Sequence, residues 1–471
     1  MSASVIDPRR PDPAILEALA GAKKNPKGAI FADDDLARRF IDRHPELRYV
    51  AAMGKWYGWD KTVWQPDEIL AVFAIARAML REEAAEAKGK MTADLKSART
   101  VAAVERLARS DPRAAATTDQ WDADDLLLNT PAGMIDLATG ACQPHDPARY
   151  CTKLTAASAE GDCPRWRQFL HEVTGGDEDL SNFLRRMAGY AATGLIREHA
   201  LFFLYGTGGN GKGVFLNTLV KLLKDYATVA PMEVFTESAT DRHPTELAML
   251  RLVRLVVSQE TEEGRRWAES RIKAITGGDP ISARFMRQDF FTFEPKFKLM
   301  VAGNHKPRLR NVDEAMRRRL HMVPFVVTIP AHKRDKDLAA KLQAEAGGIM
   351  AWIVAGAREY LEMGLAPPPS VTEATSDYFG AEDLFGQWLE DSTKRGPKLW
   401  GPSGMLFAAW KRYAEAANHR PGDQRAFANR MEGAGFEPGK SSAKGGRYWS
   451  GLELIHTEES DAGPHWADGY Q

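Results

Sequence analysis

The stretch GTGGNGKG, residues 206–213, sets glycines and one lysine in a row directly after the apolar run ALFFLY and directly before VFLNTLVKLL. A glycine-rich turn between a strand and a helix aims several backbone N–H groups, and the positive end of the helix dipole, at a single anion. Read as a phosphate-binding loop, Gly206, Gly208, Gly209, Asn210, Gly211, Lys212 and Gly213 form the binding set, with Lys212 reaching the β and γ phosphates of a nucleotide. The pattern G-x-x-x-x-G-K-[ST] fails only at its last position, where Gly213 stands in place of the hydroxyl that normally ligates Mg²⁺. The ion must then rely on phosphate oxygens, water and an acid from elsewhere.

That acid is expected at the end of a second buried strand. RLVRLVVSQETEEG supplies an apolar run over 252–257 and then Glu260, Glu262 and Glu263. Glu260 is the first choice for polarising an attacking water or holding a hydrated Mg²⁺, and Glu262 the second. A third apolar strand, KFKLMVAGNHKP, ends at Asn304, a polar side chain placed to orient water against a γ phosphate. Arg317, Arg318 and Arg319 follow, and an arginine stabilises charge on transferring phosphoryl oxygens, from the same chain or from a neighbour.

These residues need a frame of alternating strands and helices. From residue 198 to about 365 apolar strands alternate with helical periodicity, the mark of an α/β domain with a largely parallel sheet. Before it, PRWRQFLHEVTGGDEDLSNFLRRMAGYAATG has apolar spacings of three and four, hence two short helices. Further upstream, FADDDLARRFIDRH reads as a helix with an acidic start, LRYVAAMGKWYGWDKTVWQPD as a hairpin, EILAVFAIARAMLREEAAEAKGK as a helix and LLLNTPAGMIDLATGACQPHD as a second β-rich patch. Residues 1–28 are Pro, Ala and Lys rich without clear periodicity and read as a flexible arm. APPPSVTEATSDY reads as a proline-rich linker over 366–380, and residues 381–471 as a small mixed domain.

Composition bounds the rest. With 44% hydrophobic and 27% charged residues in 471, the chain falls in the soluble globular class, with room for several domains. No apolar run is long enough to span a bilayer and the N-terminus has no signal-peptide core, so cytoplasmic residence is expected, with no membrane partner. Cys142, Cys151 and Cys163 have neither C-x-x-C nor histidine partners at zinc spacing and read as reduced thiols. A formal charge of −1 removes any global attraction to nucleic acid, so DNA contact must come from local clusters such as residues 305–319 and 439–449.

The order of phosphate loop, acidic strand, ITGGDPISARFMRQDFFTFEPKFKLMVAGNHKP and DEAMRRRLHMVPF resembles superfamily 3 helicases, in particular the phage and plasmid primase-helicases related to the poxvirus primase-helicase. The likeness covers most of residues 120–390. It implies an AAA+ P-loop ATPase core, with a mixed α/β N-terminal region over 29–160, a helical collar over 161–197, the ATPase domain over 198–365 and a winged-helix-like domain at the C-terminus. It implies ATP and Mg²⁺ as cofactors, a homo-hexameric ring with the nucleotide between subunits, and Arg318 or Arg319 as an arginine finger given to the next subunit. It also places a hairpin at ISARFMRQDFFTF, with Arg284, Arg287 and Gln288 towards a central channel, and a basic wing with Lys440, Lys444 and Arg447 at phosphates.

The function so implied is an ATP-dependent DNA helicase of 3′–5′ polarity, acting on single-stranded and forked DNA in phage, plasmid or mobile-element replication inside a bacterial host. Residues 1–120 show no pair of spaced catalytic acids followed by a histidine, so a primase or polymerase, where one takes part, is expected to be a separate polypeptide. The alternative is an ATP-dependent initiator that melts an origin without processive unwinding. A small-molecule P-loop kinase is disfavoured, because no acceptor site is evident and a kinase has no use for a channel hairpin.

Overall fold

A computed structural model of the chain describes residues 32–237, 245–259, 265–284, 290–309, 312–417, 421–442 and 446–455. The arm at 1–28 and the expected site residues Glu260, Glu262, Arg287, Gln288 and Lys444 lie outside the described residues.

The N-terminal part begins with the helix Asp33–Arg43, whose three aspartates occupy the first turn where the helix dipole favours negative charge. Strands β1 (Leu47–Val50), β2 (Lys55–Trp59) and β3 (Trp64–Pro66) form an antiparallel sheet, one strand more than the hairpin expected. The helices Ala71–Glu86 and Ala98–Ala108 bury Val72, Met79, Leu80, Val101 and Val104 against Leu36 and Phe40 of the first helix. The second β-rich patch folds as β4 (Leu127–Thr130), β5 (Gly133–Asp136) and β6 (Cys142–Gln143), again antiparallel.

The centre is a five-stranded sheet built from β7 (Leu201–Tyr205), β8 (Ala227–Val229), β9 (Leu255–Gln259), β12 (Lys298–Gly303) and β13 (Leu320–Pro324), in the spatial order β13-β7-β12-β9-β8. Every pairing is parallel. Two short strands, β10 (Ile281–Ala283) and β11 (Phe291–Phe293), form a separate antiparallel pair between β9 and β12 in sequence. Parallel strands buried on both faces lose the alternation of half-buried ones, which is why ALFFLY and KLMVAG are apolar almost throughout. One face packs Phe202, Leu204, Val257 and Met300 against the helices Pro164–Thr174, Glu178–Ala192, Lys212–Leu223 and Ala346–Met363. The other packs Phe203, Val256, Leu299 and Met322 against Trp267, Ile272, Tyr378 and Phe379. The fold is the α/β one expected, with a P-loop-like core.

Residues 366–380 are not a linker. They fold into the helix Pro369–Glu382, which buries Val371, Tyr378 and Phe379. Thr375 Oγ1 accepts from Met322 N at 3.0 Å, which satisfies an N–H of the edge strand β13. Prolines that read as chain breakers sit at 368 and 369, at the cap and first turn, where a missing N–H costs nothing. Beyond it the chain runs helix Leu384–Ser392, β14 (Thr393–Pro402), helix Ser403–Ala416, helix Gln424–Gly433, β15 (Glu437–Ser441) and β16 (Gly446–Leu454), with sheet order β14-β16-β15. That helix–strand–helix–helix–strand–strand order is winged-helix-like, around a core of Trp388, Trp410, Phe427 and Trp449.

The helices Glu178–Ala192 and Ala346–Met363 touch through glycine. A side-chain carbon at Gly189 would lie 2.0 Å from Ala357 N, and one at Gly356 would lie 2.1 Å from Arg185 O. Backbone cannot yield as a flexible side chain can, so Gly189→Ala should cost about 1–3 kcal/mol of stability by overpacking. Gly380→Ala, on the helix over β13 with open space around it, should cost nothing. Chemical denaturation of both variants checks this; an unchanged midpoint for Gly189→Ala would mean that the two helices are not held at this distance.

Candidate functional site

The parallel registers bring four strand ends to one edge: Tyr205 pairs with Gly303 and with Pro324, and Gln259 pairs with Ala302. The phosphate loop follows Tyr205, Asn304 follows Gly303 and Glu260 follows Gln259 in sequence. The strand bearing Asn304 is inserted between the loop strand and the one leading to Glu260. Three segments far apart in the chain therefore converge, as expected of ligand sites at the carboxyl ends of parallel strands.

The loop wraps tightly into the helix that starts at Lys212. Gly211 has φ +87°, and a side chain there would come within 2.5 Å of Val173 and 3.0 Å of Phe169, so the helix Pro164–Thr174 closes directly over the turn. Lys212 is buried, with 6% of its surface exposed. Its Nζ donates to Gly206 O at 2.7 Å, to Asn210 Oδ1 at 3.1 Å and to Asn304 Oδ1 at 3.3 Å. Burial lowers its pKa from the ordinary lysine value. Asn210 is itself fixed, donating from Nδ2 to Phe325 O at 2.6 Å, just past the end of β13.

A cavity of about 430 Å³ opens here, lined by Gly208 to Val214, Gln259 and Ala302 to Asn304. Gln259 is a lining residue that sequence reading passed over in favour of the acid beside it. No carboxylate lines the cavity among the described residues; its polar side chains are Asn210, Lys212, Gln259 and Asn304. Such a set suits a polyphosphate: a cation and amide groups around an N–H-rich loop. For a bound Mg²⁺ the cavity offers only neutral amide oxygens from side chains, with Glu260 next to Gln259 as the nearest acid in sequence. A side-chain carbon at Gly213 would meet no atom within 4 Å, so packing does not exclude a hydroxyl there.

Of the three consecutive arginines, each has a different environment. Arg317 lies over the Phe379 ring at 5.2 Å, with Glu314 at 3.7 Å. Arg319 is buried, donating to Thr276 Oγ1 at 3.1 Å and to Ala315 O at 2.8 Å, and desolvation lowers its pKa. Arg318 is exposed, and among the described residues its guanidinium has no hydrogen-bond or ion-pair partner. Lys273, on the helix Glu269–Gly277, pairs with Asp313, the N-cap of the short helix Glu314–Arg317 that leads into Arg318.

The remaining sequence-derived candidates lie elsewhere. Arg284 follows β10 and stacks over Phe290 at 4.8 Å; Phe290 is 60% exposed. Lys440 and Arg447 are direct cross-strand partners on β15 and β16, both exposed, while Trp449, two residues on, is buried. Like charges directly opposite each other destabilise a strand pair, and a polyanion laid across them would relieve this. Among the described residues no helix is long and apolar enough to cross a membrane.

Two family signatures match the chain: one described as D5 N terminal like, over residues 37–175, and a family of unknown function, over residues 204–319. The first begins well upstream of residue 120, so it reaches into a segment for which the sequence alone suggested no likeness. A protein of Acanthamoeba polyphaga mimivirus named as a candidate helicase is 24% identical over 306 residues, 58% of this chain and 32% of that protein. A candidate helicase of Frog virus 3 (isolate Goorha) is 28% identical over 290 residues, 56% of this chain and 28% of that protein. The chain thus matches about a third or less of these relatives' own length. Among solved structures, two apo structures of the NrS-1 C-terminal region, both in the A form, align over 89% of this chain and 99% of theirs, at 10% identity and TM-scores of 0.45 and 0.47. The D5-like segment, the helicase-named viral relatives and the P-loop-like sheet together support a likeness to phage-type primase-helicases.

Proposed function

We propose that the protein is an ATP-driven superfamily 3 DNA helicase that acts as a hexameric ring, with 3′–5′ polarity, in the replication of a phage, plasmid or mobile element. The observation that carries this reading is the Lys212 ammonium, held by three neutral oxygens at the mouth of a glycine-rich loop and, among the described residues, short of a negative partner. The names of the viral relatives support unwinding as the use of the nucleotide.

In the proposed mechanism the loop N–H groups and Lys212 bind the β and γ phosphates, and Asn304 turns a water towards the γ phosphate. Glu260 takes the proton of that water. Mg²⁺, held by phosphate oxygens, water and Glu260, would screen phosphate charge. Arg318 serves a neighbouring subunit. Parallel pairing sets Leu320 beside Leu201, at the end of β7 away from the loop, and four residue steps separate Leu320 from Pro324. At about 3.3 Å per step, Arg318 starts more than 13 Å from its own loop, which favours a finger acting across the ring over one acting within the chain. The channel hairpin with Arg284, Arg287 and Gln288, and the wing with Lys440, Lys444 and Arg447, are the proposed grips on single-stranded and forked DNA.

Strand displacement on forked DNA, with and without ATP, tests the whole reading; ATP turnover without displacement would point to an origin-melting initiator instead. Lys212→Ala should abolish ATP hydrolysis while the circular dichroism spectrum stays unchanged, and substantial turnover by the purified variant would remove the site. Gly213→Ser should keep activity and lower the Mg²⁺ concentration needed for half-maximal rate, since the hydroxyl finds open space. A raised requirement would contradict this account of the loop.

The neighbouring arginines should separate cleanly. Arg318→Ala should lower ATP turnover on the order of a thousandfold without shifting Tm, and mixing it with the Lys212→Ala chain should restore part of the activity. Arg319→Ala should lose about 1–3 kcal/mol of stability, because Thr276 and the Ala315 carbonyl lose a buried partner. If Arg319→Ala kept its Tm and lost turnover while Arg318→Ala stayed active, the roles would be reversed.

A further inference from the structure

After β13 the chain turns alongside the phosphate loop and is fastened to it. Phe325 N donates to Tyr205 O at 2.8 Å, and Ile329 N donates to Gly209 O at 2.9 Å. Arg334 Nε then donates to Ile329 O at 2.9 Å. The guanidinium is thereby laid on the loop itself: a side-chain carbon at Gly209, where φ is +64°, would fall 2.2 Å from Arg334 Nη2 and 2.9 Å from its Cζ. Arg334 is exposed, and among the described residues its two Nη groups have no hydrogen-bond or ion-pair partner. The adjacent carboxylate does not neutralise it, because Asp335 is engaged by Lys341 at 2.8 Å and lies 3.9 Å from Arg165.

We propose that Arg334 is a second cationic ligand for the phosphate chain of the nucleotide, supplied by the same subunit as Lys212. The inference rests on the nucleotide reading of the loop and adds to it a residue outside the loop motif. A guanidinium offers paired N–H donors that match phosphate oxygens, and here its stem is fixed by Nε so that only the free fork remains to engage a ligand. Lys212 enters from within the loop, buried; Arg334 approaches from solvent, on the backbone of Gly209. Two cations of this kind would divide the charge of a di- or triphosphate, which one buried ammonium among neutral amides meets only in part.

Two substitutions separate charge from tethering. Arg334→Gln removes the charge and leaves a side-chain amide that can donate to Ile329 O; Arg334→Lys keeps the charge and loses the guanidinium fork. Binding of ADP and of a non-hydrolysable ATP analogue to the full chain is measured by titration calorimetry, with Tm as the check on folding. The expected result is a Kd raised tenfold or more for both nucleotides in Arg334→Gln, and within about threefold of wild type in Arg334→Lys. Unchanged affinity in Arg334→Gln, or equal weakening in both variants, would overturn the proposal and leave Arg334 as a strut for the loop. Absence of nucleotide binding by the wild-type chain would instead overturn the nucleotide reading itself, and this inference with it.

Discussion

A buried ammonium that has no carboxylate partner among the described residues is the constraint around which the rest of the centre is arranged. Charge taken out of water is costly unless it is paired or fully hydrogen-bonded. Among the described residues Lys212 has only neutral oxygens, and two of these come from outside the loop's own backbone: the amides of Asn210 and Asn304. Asn304 is available because β12 lies next to β7 rather than beyond β9, and Asn210 is oriented because its Nδ2 is held by the Phe325 carbonyl past β13. The strand order thus reaches the lysine from both sides of β7. An anion in the cavity would complete a coordination that the described residues leave electrically unbalanced.

The opposite ends of the same strands carry a second arrangement of cations and carbonyls. Arg254, which precedes β9, donates to Ala192 O, Asp124 O and Leu127 O and lies over the Tyr226 ring at 4.7 Å. Lys298, the first residue of β12, donates to Thr193 O and Leu195 O, and burial holds its pKa well below that of an ordinary lysine. Both cations thereby meet carbonyls at the C-terminal end of the helix Glu178–Ala192, where the helix dipole is negative. Arg254 also binds backbone of the D5-like segment. That segment is joined through buried hydrogen bonds to the strand that leads to Glu260, so it is part of the frame of the candidate site and not an appendage to it.

Much of this was legible in the sequence because the governing physics is local. The loop needs its glycines and lysine within eight positions, buried parallel strands need continuous apolar runs, and helices need spacings of three and four. The strand order was not legible, since nothing in a strand's own residues says which neighbour it takes. The helix Pro369–Glu382 was misread because its prolines carry opposite meanings inside a helix and at its first turn, and only burial of Tyr378 and Phe379 against the sheet decides between them. Arg317, Arg318 and Arg319 were equivalent as letters; Phe379, solvent and Thr276 make them different residues. Gln259 and Arg334 carry no motif at all, and each acquires significance only from what the fold lays beside it.

The polarity of the parallel sheet also bears on why such a chain would assemble. With all five strands running the same way, everything that follows a strand collects at one edge and everything that precedes a strand collects at the other. The loop, Asn304 and the Phe325 carbonyl belong to the first edge; Arg254, Lys298 and Arg318 belong to the second. Arg254 and Lys298 are consumed by carbonyls of their own chain, whereas the exposed Arg318 is not. A cation stranded at the far edge of its own sheet can complete a phosphate site only on a neighbouring molecule whose loop edge faces it. Repeated head-to-tail, that contact is heterologous, and heterologous contacts close into rings when the rotation between subunits allows it. The direction of the strands and the exposed Arg318 at their far edge are compatible with a ring of that kind.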